Sequence, residues 1–347
     1  MSTIDTANSS VAPASTAASS IGVVVIGRNE GERLRRSLSS IVSHAKHVVY
    51  VDSGSVDESL ATAKSLGVDV VELDLSQPFS AARARNVGFD HLKQLAADLQ
   101  FVQFVDGDCE IDDRWIETAL QSLQQHPTVA VVCGRRREKF PEQSIYNAMC
   151  DMEWDVPPGE TTWCGGDAFM RAGPFAAVNG FDASLIAGEE PELCRRLIAA
   201  GWKILRLSAE MTRHDAAVTR FSQWWRRSIR SGHAFAEGAA LKRTSDDGYC
   251  LRESRSIWLW GVIVPALALI AAWPTRGISL LLLLYFPLKA LLVAVRKRRV
   301  GNPWSRSLFY GYFCLLGKFP QAWGQIQFLR SRSSGKSRTV IEYKGVA

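Results

Sequence analysis

The sequence predicts an α/β domain followed by a transmembrane helical hairpin. From residue 21 onward, short runs of β-branched and aromatic residues alternate with stretches of helical period. This alternation is typical of a mostly parallel sheet covered by helices. Two long apolar stretches with basic flanks follow nearer the C-terminus, as expected for membrane-spanning helices. A chain of 347 residues has room for one ordinary domain and these additional segments.

Five segments have the composition of strands, and three of them end directly in polar residues. The predicted strands cover residues 21–26, 47–51, 69–73, 101–105 and 129–133. The polar residues are Arg28-Asn29-Glu30, Asp52-Ser53-Gly54 and Asp106-Gly107-Asp108, after the first, second and fourth strands. Because ligands of open α/β sheets bind beyond the carboxyl ends of the strands, we expect one cleft to collect all three groups.

The two apolar stretches, 257–273 and 277–295, are each close to the roughly 17 to 25 residues that cross a bilayer. Lys and Arg are denser outside this hairpin than in its short turn. The positive-inside rule therefore predicts the cytoplasmic membrane, with both flanks and the α/β domain facing the cytoplasm. The alternative is a buried helical hairpin in a soluble core, and Lys289 is its main support.

These observations predict six segments along the chain. They are a disordered tail (1–20), a catalytic domain (21–236), a connector (237–256), the transmembrane hairpin (257–295), a basic segment with an interfacial helix (296–330) and a polar tail (331–347). The net charge of +6 includes a basic cluster at 296–299, which favours a membrane partner over nucleic acid. The 7 cysteines show no paired C-x-x-C spacing, so neither a disulfide framework nor a zinc site is expected.

Several carboxylates are candidates for chemistry. Asp106 and Asp108 stand at one strand end with only Gly107 between them, which suits a hard cation such as Mg²⁺ or Mn²⁺ beside a diphosphate. An isolated D-x-D is also a common solvated acidic turn. Asp52 has two readings of equal weight, since its carboxylate can accept a hydrogen bond from a base or can cap the next helix.

Further candidates lie later in the chain. Arg85 stands among small residues near a helix start, where a guanidinium can bind a diphosphate. Glu189 and Glu190 begin another helix, and one such carboxylate can act as the general base for an acceptor hydroxyl. Asp167 follows a glycine pair and is the third candidate catalytic carboxylate. His214 is a candidate metal ligand, although a lone histidine is more often structural.

Taken in order, these pieces resemble family 2 glycosyltransferases of the A-type, Rossmann-like fold. The motifs are Ile26-Gly27-Arg28-Asn29-Glu30, Val51-Asp52-Ser53-Gly54-Ser55-Val56-Asp57, Ala84-Arg85-Asn86-Val87-Gly88, Asp106-Gly107-Asp108, Gly165-Gly166-Asp167-Ala168-Phe169-Met170-Arg171, Gly180-Phe181-Asp182 and the Glu189-Glu190 helix start. The resemblance implies that Asn29, Glu30 and Asp52 bind the nucleoside and that Arg85 helps with the diphosphate. It also implies that Asp106 lies near ribose and metal, that Asp108 ligates the metal and that Glu190 is the base.

The resemblance implies an inverting, metal-dependent transfer of sugar from a nucleotide diphosphate sugar to a lipid-linked or saccharide acceptor. A UDP-sugar is the favoured donor, with a GDP-sugar as the alternative. Two departures from the common family pattern are Ser53, where a second Asp is frequent, and Glu190, where Asp usually follows Glu. Two other functions compete: a nucleotidyltransferase, which would release pyrophosphate, and a non-catalytic, membrane-tethered binding protein on a transferase fold.

Overall fold

The computed structural model describes residues 20–241 and 250–334, and its centre is a nine-stranded mixed sheet. Eight strands follow the order β3-β2-β1-β4-β8-β6-β9-β5, and β7 pairs with β9. The strands are β1 Ile21–Gly27, β2 His47–Asp52, β3 Asp69–Glu72, β4 Phe101–Asp106, β5 Cys109–Ile111, β6 Val129–Glu138, β7 Gly159–Thr161, β8 Ala168–Arg171 and β9 Lys203–His214. The predicted α/β fold is confirmed, and all five predicted strands are present.

Strands β3, β2, β1 and β4 form the parallel half of the sheet. The apolar runs of β1, β2 and β4 are buried on both faces, since neighbouring residues such as Val23, Val24 and Val25 are all inaccessible to solvent, whereas the edge strand β3 is partly exposed. This burial explains why these strands read as continuous apolar runs and do not alternate. The register pairs Ile26 with Asp106 and Gly27 with Asp52, so the predicted polar ends lie side by side.

The sequence did not predict β8, which runs antiparallel between β4 and β6. Because its direction is reversed, the start of β8 lies beside the carboxyl end of β4. The glycine pair and Asp167 are thereby brought next to Asp106, and Asp167 Oδ1 accepts a hydrogen bond from the Asp106 backbone N–H at 3.0 Å.

Strand β9 brings a distant histidine to the same edge. Its last residue, His214, pairs with Cys109 of β5 and with Glu138 of β6. His214 therefore lies beside Asp108, which immediately precedes β5.

Helices cover this sheet and continue beyond it. They are α1 Glu32–Ser39, α2 Ser59–Ser65, α3 Ala81–Leu95, α4 Trp115–Gln125, α5 Ile145–Trp154, α6 Ala172–Ala177, α7 Glu189–Ala199, α8 Phe221–Ala240, α9 Leu251–Trp258, α10 Val264–Ile270, α11 Tyr285–Arg299, α12 Trp304–Leu316 and α13 Lys318–Ser334. A π-helical turn, Leu259–Ile263, joins α9 to α10, and a 3₁₀ segment, Ile278–Leu284, precedes α11.

The segment expected to be one interfacial helix forms two helices, α12 and α13, which meet at Gly317. Helix α13 packs closely along α8 through two glycines. A Cβ atom on Gly232 of α8 would collide with the backbone of Gln321, and one on Gly324 of α13 would collide with the carbonyl of Ile229. Such small residues let two helix backbones approach closely, so α13 is tied to the α/β domain through α8.

Two continuous helical stretches, Leu251–Ile270 and Ile278–Arg299, are long and apolar enough to cross a membrane by length and composition. Only 11% and 6% of their most apolar windows are buried. This exposure disagrees with the alternative of a hairpin buried in a soluble core. The predicted tail and polar C-terminus lie outside the described residues, apart from Ser20 and residues 331–334.

Candidate active site

One cleft of about 1080 Å³ lies beyond the carboxyl ends of β1, β2 and β4. Nearly all the predicted site residues line it, together with their immediate neighbours. They are Arg28, Asn29, Glu30, Ser53, Arg85, Asp106, Asp108, Gly166, Glu189, Glu190 and His214. Asp52 and Asp167 are not among its lining residues. The structure therefore brings the separate motifs together and places two of the predicted carboxylates behind the surface.

The Asp52 carboxylate organises its own loop. It accepts hydrogen bonds from the Tyr50 hydroxyl at 2.8 Å, from the Gly54 and Ser55 backbone N–H groups at 2.9 and 2.7 Å, and from the Ser55 hydroxyl at 2.5 Å. Burial and the Asp52 charge together raise the pKa of Tyr50, which keeps the phenol a donor. Asp52 therefore does not cap the next helix, which begins at Ser59 without a side-chain cap, and its hydrogen bonds shape the loop between β2 and that helix.

Asn29 joins the ends of β1 and β2. Its backbone N–H donates to the Ser55 hydroxyl at 2.9 Å, and its side-chain oxygen accepts from the Val56 N–H at 2.8 Å. Asn29 has a φ of 55°, a left-handed conformation that asparagine tolerates better than most residues. Its side chain thus fixes the shape of the cleft wall where the resemblance implies nucleoside binding.

Arg85 is a buried ion-pair hub on α3. Its guanidinium donates to Asp106 Oδ1 and to Glu189 Oε1, both at 2.7 Å, and the residue is 2% exposed. Burial alone would lower the pKa of this guanidinium, but the two carboxylates raise it above its usual value. Arg85 therefore links the end of β4 to the start of α7, and its guanidinium lines the cleft with both carboxylates already bound to it.

Arg136 is a functional candidate that the sequence did not predict. It extends from β6, donates to Asp167 Oδ2 at 2.5 Å and to Asp106 Oδ2 at 3.2 Å, and lines the cleft. Asp167, which is fully buried, also accepts from the Thr212 hydroxyl at 2.8 Å. The geometry makes Asp167 a positioning residue for Arg136 and Asp106. The only sequence signal was a basic run at the end of a predicted strand, which resembles an exposed charged turn.

Asp108 and His214 form a second group. His214 Nε2 lies 3.3 Å from Asp108 Oδ2, and both side chains are buried. Behind the ring, the fully buried Glu138 carboxylate has an oxygen 3.9 Å from His214 Nδ1, and among the described residues this nitrogen makes no hydrogen bond. A carboxylate behind a histidine is the usual support of a metal-ligating imidazole.

The Asp108–His214 pair fits a divalent cation. A carboxylate oxygen and an imidazole nitrogen are ligands that Mn²⁺ accepts, and the same carboxylate suits Mg²⁺. Cys109 Sγ lies within 4.8 Å of both ligand atoms, but a thiol is a soft ligand and suits these cations less well than a carboxylate does. Asp106 lies outside this group, because its two oxygens face Arg85 and Arg136.

Glu189 and Glu190 begin α7 but have different partners. Glu189 is ion-paired with Arg85. Glu190 Oε1 accepts a hydrogen bond from the Cys164 backbone N–H and lies 3.6 Å from Cys194 Sγ. The carboxylate of Glu189 is thus neutralised by the Arg85 guanidinium, whereas Glu190 lines the cleft and has only neutral partners at Oε1. This difference favours Glu190 over Glu189 as the base.

Comparisons with known proteins identify the domain. Residues 22–178 match the model of glycosyl transferase family 2. The chain is 27% identical over 230 residues to the pre-mycofactocin glycosyltransferase of Mycobacterium tuberculosis, covering 62% of this chain and 47% of that protein. It is 25% identical over 189 residues to an O-antigen chain rhamnosyltransferase of Salmonella typhimurium, covering 50% and 58% respectively. The chain thus spans about half the length of the curated relatives it matches.

A mannosyltransferase from Pyrobaculum calidifontis, solved in complex with GDP-Man and Mn²⁺, has a similar structure. The TM-score is 0.57 at 16% sequence identity, and the match covers 88% of this chain and 87% of that one. At this identity the likeness shows the fold alone, and it confirms the predicted A-type glycosyltransferase fold. Residues 22–178 of this chain are therefore a family 2 glycosyltransferase domain.

Proposed function

We propose that this protein transfers a sugar, with inversion, from a nucleotide diphosphate sugar to a hydroxyl of a lipid-linked or saccharide acceptor. One observation carries the proposal: the buried Asp108–His214 pair and the Glu190 carboxylate line the same cleft of a family 2 domain. A leaving diphosphate and an attacking hydroxyl need these two kinds of group on opposite sides of the anomeric carbon.

The donor lies against the ends of β1 and β2. The Asn29–Ser55 and Asn29–Val56 hydrogen bonds hold this wall rigid, which leaves Glu30 and Ser53 to contact the nucleoside. A UDP-sugar remains the favoured donor and a GDP-sugar the alternative. Asp106 faces the ribose side of the cleft, and Arg85 and Arg136 hold its carboxylate in place from two directions.

Asp108 and His214 would hold the divalent cation, Mg²⁺ or Mn²⁺, with the negative charge of Glu138 behind the imidazole. When bound, the cation neutralises negative charge on the diphosphate. Arg85 and Arg136 add positive charge nearby, although each already balances carboxylates. Their main contribution is to fix Asp106 and the start of α7.

Glu190 acts at the acceptor. The acceptor hydroxyl gives its proton to the Glu190 carboxylate while its oxygen bonds to the anomeric carbon. The bond from that carbon to the diphosphate oxygen breaks, and the nucleoside diphosphate leaves with the electron pair. A single displacement of this kind inverts the configuration at the anomeric carbon. The Cys164 N–H holds Glu190 in position for the proton transfer.

The exposed helices Leu251–Ile270 and Ile278–Arg299 support a membrane anchor. The basic last turn of α11, from Arg296 to Arg299, favours the cytoplasmic face for the domain. A lipid-linked acceptor would approach from this side.

The test is a screen of nucleotide sugars with the purified full chain, with released nucleotide identified by chromatography. We expect one donor to yield nucleoside diphosphate only when Mn²⁺ or Mg²⁺ is present. Asp108→Asn should reduce turnover at least about 100-fold, in the range of a lost electrostatic contact to the transition state. Asp113→Asn is the matched control, because that side chain is 92% exposed. Release of pyrophosphate would indicate nucleotidyl transfer, and no turnover of any donor would indicate a binding protein.

A further inference from the structure

The cleft continues well beyond the carboxylates, into the helices that follow the catalytic domain. The lining at its far end includes Glu253, Trp260, Lys289, Val293, Phe313 and Lys318. Its volume of about 1080 Å³ is a little above the range of about 300–1000 Å³ that is ordinary for one small ligand. The far end can therefore hold part of a second substrate while the donor occupies the strand ends.

Two lysines line this far end. Lys289 lies within the apolar helix Ile278–Arg299, and an ionisable residue inside such a segment usually faces a cavity and serves a function. Lys318 begins α13, where burial lowers the pKa of its ammonium group while Cys314 and Glu253 act in the opposite direction. An anionic partner stabilises a half-buried ammonium group more than it stabilises an exposed one, because fewer water molecules solvate the half-buried group.

A second cavity, of about 430 Å³, adjoins the far end of the cleft and is lined almost entirely by apolar side chains. Leu315 lines both cavities. Ala290 lines the apolar cavity directly after Lys289, and Phe319 lines it directly after Lys318. The two lysines thus stand on the boundary between a polar cleft and an apolar groove, at two separate places in the chain.

We infer that this boundary is the acceptor site, and that the acceptor is a saccharide joined through a phosphate or diphosphate to a hydrocarbon chain. The hydrocarbon lies in the apolar groove, the phosphate contacts Lys289 and Lys318, and the saccharide extends along the cleft toward Glu190. This inference rests on the proposed function and narrows its acceptor. A base at Glu190 is useful only to a nucleophile that carries a proton, which selects a sugar hydroxyl over an ionised phosphate oxygen.

The inference is tested by direct binding of radiolabelled farnesyl diphosphate to the full chain in nanodiscs of neutral lipid, without donor. Lys289→Met and Lys318→Met keep most of the side-chain volume and remove the charge. Each should weaken binding about tenfold, the effect of one charge-assisted contact. Arg298→Met is the control, since this exposed arginine lies on the same helix but does not line the cleft, and it should leave binding unchanged.

Competition with the unlabelled parts of the probe distinguishes the source of the affinity. Farnesol and inorganic pyrophosphate should each compete at least about tenfold more weakly than farnesyl diphosphate. If farnesol competed as well as farnesyl diphosphate, the site would be an apolar groove only. If pyrophosphate competed as well as farnesyl diphosphate, the site would be an anion site only. Either result overturns the inference, as does wild-type affinity in both lysine variants. If the lysine-dependent binding is found but no nucleotide sugar is turned over, the lipid site stands and the proposed transferase function fails.

Discussion

Replacing Glu190 with glutamine removes the proposed base and little else. The amide oxygen of glutamine can still accept the hydrogen bond from the Cys164 N–H, so the start of α7 should keep its position. A positioned base contributes about 100-fold to 10,000-fold to a proton transfer. That range corresponds to about 2.7 to 5.4 kcal/mol of transition-state stabilisation. We therefore expect kcat to fall by this factor while the donor nucleotide binds with nearly unchanged affinity.

The assay combines steady-state kinetics of nucleoside diphosphate release, with acceptor present, and equilibrium binding of the donor nucleotide. Glu189→Gln is the matched comparison, since it makes the same chemical change one residue earlier, where the carboxylate is paired with Arg85. We expect a smaller loss of kcat for that variant, together with reduced thermal stability. A kcat within about twofold of wild type for Glu190→Gln would refute the assignment. A larger loss at Glu189 would move the base by one residue.

Four further predictions test the supporting structure. Glu138→Gln should weaken Mn²⁺ binding, followed by electron paramagnetic resonance, about 10-fold to 100-fold, because the negative charge behind the imidazole of His214 is lost; unchanged affinity would show that Glu138 does not support the metal site. Asp167→Asn should destabilise the domain by about 3 kcal/mol in denaturant unfolding, since Arg136 loses a buried partner and keeps Asp106. Gly324→Ala should cost about 1 to 3 kcal/mol where α13 meets α8, whereas Gly173→Ala, with open space around it, should be nearly neutral. The full chain should sediment with membranes and require detergent for release; recovery in the soluble fraction would contradict the anchor.

The sequence was sufficient for the parallel half of the sheet. Strands β1, β2 and β4 are buried on both faces, so their apolar runs and the polar residues that follow them were predictable without knowledge of long-range contacts. The same logic placed Asp106 and Asp108 in one cleft with Asn29 and Glu30. These signals are local, whereas the sheet order β3-β2-β1-β4 differs from the order of the strands in the chain.

The remainder depends on contacts between distant residues. In sequence, Arg136 and Glu138 resemble a charged turn that follows an ordinary strand. Only the pairing of β6 with β9 and β8 brings these two residues next to Asp167 and His214. The sequence also could not predict that the Asp52 carboxylate is fully hydrogen-bonded within its own loop, because a capping carboxylate and a base-binding carboxylate have the same sequence signature. Propensity does not reveal which hydrogen bonds a buried carboxylate has already made.

The different partners of Glu189 and Glu190 also come from the fold. Adjacent glutamates at a helix start look equivalent in sequence, but Arg85 lies 104 residues away and reaches only the first of them. The positions of Lys289 and Lys318 on one cavity boundary likewise follow from the packing of α11 against α12 and of α13 against α8.

The configuration of the product at its anomeric carbon tests the proposed mechanism most directly. Proton NMR of the first product formed by the full chain, with the identified donor and a soluble analogue of the acceptor, distinguishes the two anomers from their coupling constants. A single displacement assisted by Glu190 predicts the anomer opposite to that of the donor sugar. A product with the donor's own configuration would contradict the account, because it would require a second nucleophile or a front-face mechanism that leaves the base at Glu190 without a role.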